Sequence, residues 1–70
     1  MPSSLSPARI RAAREAAGLS RERAALAVDR SYHAIVQYES GQTNPSSAIL
    51  LRLAETYGVK VEDLTEKVPA

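Results

Sequence analysis

Cysteine, tryptophan and phenylalanine are absent from this 70-residue chain, and three tyrosines are its only aromatic residues. Without cysteine, neither a disulfide framework nor a thiolate metal site can substitute for a poor core. No apolar stretch reaches the length of a membrane span, and MPSSLSPARI contains no run like that of a signal peptide. A cytoplasmic protein is therefore expected. A chain this short allows one domain with a small core, so packing alone must stabilise it. Repeats of solenoid length are also missing, and no segment alternates apolar and polar residues in the manner of a strand.

An excess of one sign of charge is lacking as well. The net charge is +1, which excludes a nonspecific polycation. Its distribution is uneven: residues 1–40 carry six Arg against Glu15, Glu22, Asp29 and Glu39, whereas residues 41–70 carry Arg52, Lys60 and Lys67 against four acids. The first half is the basic half, although arginines that merely solvate helix faces produce the same pattern.

What is abundant is Ala and Leu, in a helical arrangement. Gly18, Gly41 and Gly58 each follow an apolar-periodic run, where a left-handed residue closes a helix. A first helix is predicted from Pro7 to Ala17, with Ile10, Ala13 and Ala17 facing inward. Ser20 caps a second helix ending near Val28, whose buried face of Ala24, Ala25 and Val28 permits close approach but little area. Ser31 caps a third helix with Ile35 and Tyr38 as its apolar pair. After the Asn44-Pro45-Ser46 turn, Ile49, Leu50, Leu53, Ala54 and Tyr57 define a strongly amphipathic fourth helix, and VEDLTEK is read as a short fifth. The expected organisation is a flexible segment 1–6, a folded domain 7–66 and a tail 67–70.

Two short helices separated by only Asp29 to Ser31, after a helix that braces them, match the helix-turn-helix arrangement. The stretch GLSRERAALAVDRSYHAIVQYESGQTNPS, residues 18–46, resembles the Cro/phage-repressor helix-turn-helix family, also called the xenobiotic-response-element type. LLRLAETYGVKVEDL is similar to the same family's fourth and fifth helices. The resemblance covers roughly residues 9–64 without a gap. It rests on the order of Gly18-Leu19-Ser20, Glu39-x-Gly41-x-x-Asn44-Pro45 and Leu53-Ala54 followed by Gly58-Val59. It implies an all-α, compact five-helix, lambda-repressor-like domain. The implied function is a sequence-specific regulator of transcription that binds double-stranded DNA and associates with the nucleoid when bound.

The resemblance places Tyr32, His33 and Gln37 in the major groove. Helical geometry puts Tyr32, His33, Val36 and Gln37 on one face, away from Ile35 and Tyr38. Gln37 can hold adenine through its amide, Val36 can press on a thymine methyl, and His33 can donate to guanine. Tyr32 offers a hydroxyl to a phosphate or base edge, or packs back against the turn. Arg21 stands where the family usually has a phosphate-touching Gln, and Ser31, Gln42, Thr43 and Asn44 are the further phosphate candidates. For Arg11 and Arg30, solvation is the simpler reading. Arg14 and Glu39 occupy positions where related repressors pair an arginine of the first helix with a glutamate of the third.

Several positions depart from the family pattern. Asp29 and Arg30 replace a glycine and a buried apolar residue, Ala24 replaces a larger one, and Leu26 sits at a solvent-facing polar position. Catalysis is not expected, because Asp29, Ser31 and His33 share no face on which a base could activate a nucleophile. No cofactor or metal is expected either. The rival is a protein-interaction module of the same fold, an antitoxin or adaptor, binding a protein partner through Ile49, Leu51 and Leu26. Related repressors read palindromic operators as dimers. Here a weak homodimer through Val59, Val61 or the fourth helix is expected only on DNA, with a monomer in dilute solution.

Overall fold

The computed structural model describes residues 3–67. A strand β1 (Ser3–Leu5) leads into four helices: α1 (Pro7–Ala16), α2 (Arg21–Ala27), α3 (Tyr32–Ser40) and α4 (Ser47–Tyr57). A single 3-10 turn at Val61–Leu64 and a strand β2 (Thr65–Lys67) follow.

One local device starts all four helices. Ser6, Ser20, Ser31 and Ser46 are extended N-caps whose hydroxyls accept from the backbone N–H three residues on, those of Arg9, Arg23, Ala34 and Ile49. Each bond satisfies one of the donors that a helix start leaves unpaired. The stops follow the glycines, since Gly18, Gly41 and Gly58 all have positive φ. At Gly41 a second constraint adds to the positive φ: a Cβ there would lie 3.3 Å from Pro7 Cγ, tight enough that the start of α1 would have to shift by a few tenths of an ångström. Asp29 is the one other left-handed residue among those described, at φ 56°, and turns the chain between α2 and α3 where a glycine was missing.

The core draws on every helix: Ile10 from α1, Ala24 and Ala25 from α2 with Val28 after it, Ile35 and Tyr38 from α3, and Ile49, Leu53, Ala54 and Tyr57 from α4. The small residues on α2 let that helix lie close to its neighbours, as expected. The inward face of α1 differs from expectation. Ile10 is buried, Ala13 only half so, and Ala17 is exposed because α1 ends at Ala16 and the backbone turns away there. Arg14, one turn after Ile10, takes the inward position instead. Ile49, expected as part of an exposed contact, faces the core at 5% exposure. It lies one turn before Leu53 and shares the buried stripe of α4.

The fifth helix is not formed. Its stretch makes only the 3-10 turn, in which the carboxylate of Asp63 accepts from the backbone N–H of Lys60, and Leu64 is fully buried. Beyond it Thr65 is extended, and Thr65–Lys67 pairs antiparallel with Ser3–Leu5. The strand pairing takes the residues a helix needed for further turns. Residues 3–5, expected within a flexible segment, are thereby part of a two-stranded sheet. Ser6 locks the junction: its N–H donates to Leu64 O at 2.9 Å and its hydroxyl to Glu66 at 3.2 Å. Of the expected tail, residues 68–70 lie outside the described residues. Three-residue strands carry too few positions to display an alternating pattern, which is why the sequence did not announce them.

Candidate nucleic-acid interface

The start of α3 is the projecting part of the helix pair. Ser31, Tyr32 and His33 are exposed, Tyr32 at 47%, while Ile35 and Tyr38 on the opposite side enter the core. Val36 and Gln37 are half-buried rather than open, because the second turn of α3 sinks between its neighbours. The four base-reading candidates thus share one face, graded from an exposed tip to a sheltered second turn. Ser31 has a structural task as well, since its hydroxyl accepts from Ala34 N–H at 3.1 Å. A hydroxyl that accepts there keeps its proton for another partner.

After α3, Gly41 turns the backbone so that Gln42 N–H donates to Gln37 O at 3.0 Å. This leaves Gln42, Thr43 and Asn44 exposed in a row just beyond the C-terminal end of α3. Pro45 next to them is buried and anchors the turn.

Besides the apolar contacts of Ile35 and Tyr38, a charged cluster in the interior ties α3 to its neighbours. Arg14 Nε donates to Glu39 Oε2 at 2.6 Å, Nη2 to Oε1 at 3.3 Å, and Nη1 to Leu19 O at 2.8 Å. The side chains of Arg14 and Glu39 are 8% and 3% exposed, so the pair is desolvated and two-pronged. The Glu39 hydrogen bond raises the Arg14 pKa against the opposing effect of burial. The expected pairing of α1 with the end of α3 is therefore present.

Arg21 adds a partner that the sequence did not suggest. Its Nε donates to Glu39 Oε1 at 3.1 Å, and its side chain is one-third exposed. A signal existed, since an arginine in place of the usual glutamine one residue after the α2 cap brings a second cation toward the same carboxylate. Tyr57 is the other unannounced member of this region. Its hydroxyl is buried and, among the described residues, has no hydrogen-bond partner. Burial pushes the phenol up to about 12, with Glu39 adding to the shift and Arg14 opposing it. Arg11, by contrast, forms an exposed i,i+4 pair with Glu15, which fits the solvation reading.

A family profile described as a helix-turn-helix domain matches residues 8–67. The chain belongs to this helix-turn-helix family. Two solved structures are similar to it over most of its length. One is the restriction-modification controller protein C.AhdI from Aeromonas hydrophila, at 31% identity and a TM-score of 0.77, with 83% of this chain and 88% of that one covered. The other is the DNA-binding domain of the P22 C2 repressor, residues 1–76, at 30% identity and a TM-score of 0.81, covering 91% of this chain and 84% of that one. Both bear out the resemblance to the Cro/phage-repressor type of helix-turn-helix. No curated protein sequence matches. The element after the turn, α3, packs against both α1 and α2.

Proposed function

We propose that this protein is a sequence-specific, double-stranded DNA-binding regulator of transcription, with α3 in the major groove. The observation that carries the proposal is the tip of α3: exposed Tyr32 and His33, with Gln37 one turn behind, on a helix that a buried ion pair fastens to α1. Two similar chains are a repressor's DNA-binding domain and a restriction-modification controller, which supports the same reading.

In this arrangement Gln37 presents donor and acceptor together to an adenine edge, and Val36 supplies apolar contact to a thymine methyl. Tyr32 and His33, being the most exposed, reach furthest across the groove. Ser31 at the start of α3, Arg21 at the start of α2 and Gln42, Thr43 and Asn44 beyond the end of α3 contact phosphates, which positions α3 without reading sequence. Only one of these five is a cation. A modest salt dependence follows, with slope close to about −0.9 for each neutralised phosphate. A weak homodimer on a palindromic operator places a second α3 about one helical turn, roughly 34 Å, away.

The test is selection of bound duplexes from a random pool, followed by salt titration of the enriched sequence. A single enriched motif whose affinity exceeds that of unselected duplexes supports the reading. Binding without enrichment, or none at all, rejects it. A second reading, as a protein-interaction module, is favoured by two apolar side chains at the surface: Leu26 at 81% exposure and Leu51 at 53%. A protein partner recovered through those residues, with no enriched duplex, selects that reading instead.

A further inference from the structure

The cluster around Glu39 contains two guanidinium groups and one carboxylate, and the two are not used alike. Arg14 is spent in the interior, since Nε and Nη2 bond Glu39 and Nη1 bonds the Leu19 carbonyl. Arg21 commits only Nε to Glu39, at 3.1 Å, and among the described residues its two Nη groups bond no protein acceptor. Glu39 can neutralise one of the two positive charges. The unbalanced charge therefore lies on Arg21, whose side chain is one-third exposed while that of Glu39 is 3% exposed.

We propose that Glu39, though buried away from any DNA surface, is a positioning residue for phosphate contact: its Oε1 anchors Arg21 Nε and so aims the free Nη edge outward. This rests on the DNA-binding reading above and names how one of its contacts is prepared. A free arginine loses rotamer freedom when it binds a phosphate, whereas an arginine already fixed at Nε has lost most of that freedom beforehand. The planar guanidinium makes the double use possible, because Nε and the outer Nη edge of one fork point in different directions. Lysine's three N–H donors radiate from one nitrogen, so its ammonium lacks the separated, coplanar Nε and Nη edges with which an arginine faces two partners on different sides. The same Oε1 also accepts from Arg14 Nη2 at 3.3 Å, so a pull on Arg21 reaches the brace of α3.

The experiment compares the intact protein with R21K and R21A, using a mixed-sequence duplex of about 20 base pairs at low salt, where phosphate contacts dominate. Both variants are expected to bind about tenfold more weakly, R21K nearly as weakly as R21A although its charge is retained. R21A should also lower the salt slope by about 0.9. Thermal melting of both variants shows that they are folded. The Arg21 Nε–Hε signal in 15N spectra should be slow to exchange in the free protein and persist on adding the duplex. Wild-type affinity in R21K would show that charge alone matters and overturn the positioning role. Wild-type affinity in R21A would remove the phosphate contact, and loss of the Nε–Hε signal on binding would mean that the phosphate displaces Glu39. Each of those three results leaves DNA binding itself intact. A wild-type protein that binds no duplex overturns both inferences together.

Discussion

Arg14 of α1 and Glu39 of α3 meet through two hydrogen bonds in the interior, at 2.6 and 3.3 Å, with Arg14 also bonded to the Leu19 carbonyl in the loop before α2. One guanidinium thus joins α1, α3 and the approach to α2. Such a pair contributes little net stability compared with a well-packed apolar one. Removing Arg14, however, leaves the desolvated Glu39 with only its single bond to the partly exposed Arg21 and leaves the Leu19 carbonyl without that donor.

Arg14→Ala should therefore destabilise the fold, by less than the ~3–5 kcal/mol of a wholly unpaired buried charge because Arg21 still bonds Glu39, but by a large part of what a chain of this size has. Thermal or urea unfolding measures the loss, and DNA affinity should fall only as the folded fraction falls. A variant that keeps its melting temperature while losing affinity would place Arg14 at the DNA instead.

Tyr57 carries a buried hydroxyl without a partner, so Tyr57→Phe should leave stability at pH 7 unchanged or raise it by up to about 2 kcal/mol. The pH dependence has a definite sign. The folded-state pKa is raised from 10.0 to about 12, so the neutral phenol's stabilising contribution is complete below pH 10 and is lost as pH rises through 12. Across that window the wild type should lose about 2–3 kcal/mol that the Phe variant retains. Parallel stability profiles for the two proteins above pH 10 would contradict this.

Gln37→Ala should weaken binding of the enriched duplex by about 1–3 kcal/mol and relax preference at one base pair, leaving the salt slope unchanged. Titrations against duplexes altered one base pair at a time supply the measurement. A uniform loss on every sequence, with a shallower slope, would reassign Gln37 to a phosphate.

Two helix caps of identical chemistry should differ in weight. Ser31 is exposed and makes a single cap bond, whereas Ser6 is buried, caps α1 and also donates to Glu66 of β2. Ser31→Ala should cost about 1 kcal/mol and Ser6→Ala about 2, a difference of roughly 4–8 °C in melting temperature. Equal melting temperatures would mean that the link between the chain's two ends contributes nothing.

The local signals in this sequence were strong where structure is local. Serine caps, the glycine stops, the period of Ile49, Leu53, Ala54 and Tyr57, and the tolerance of Asp29 for a left-handed turn each act within a few residues. They placed α1 to α4 within a residue at each end and put Tyr32 and His33 outside. Resemblance to a family supplied the pairing of Arg14 with Glu39, which are 25 positions apart. Tertiary structure alone decided three things. Ser3–Leu5 met Thr65–Lys67, and that pairing reduced the last helix to one 3-10 turn, because strand partners sixty positions apart leave no local pattern. Ile49 turned inward while Leu51 stayed out, since the core selects which edge of an apolar helix it covers. And Arg21 bonded Glu39, because which cations share one buried carboxylate depends on where three helix segments converge in space.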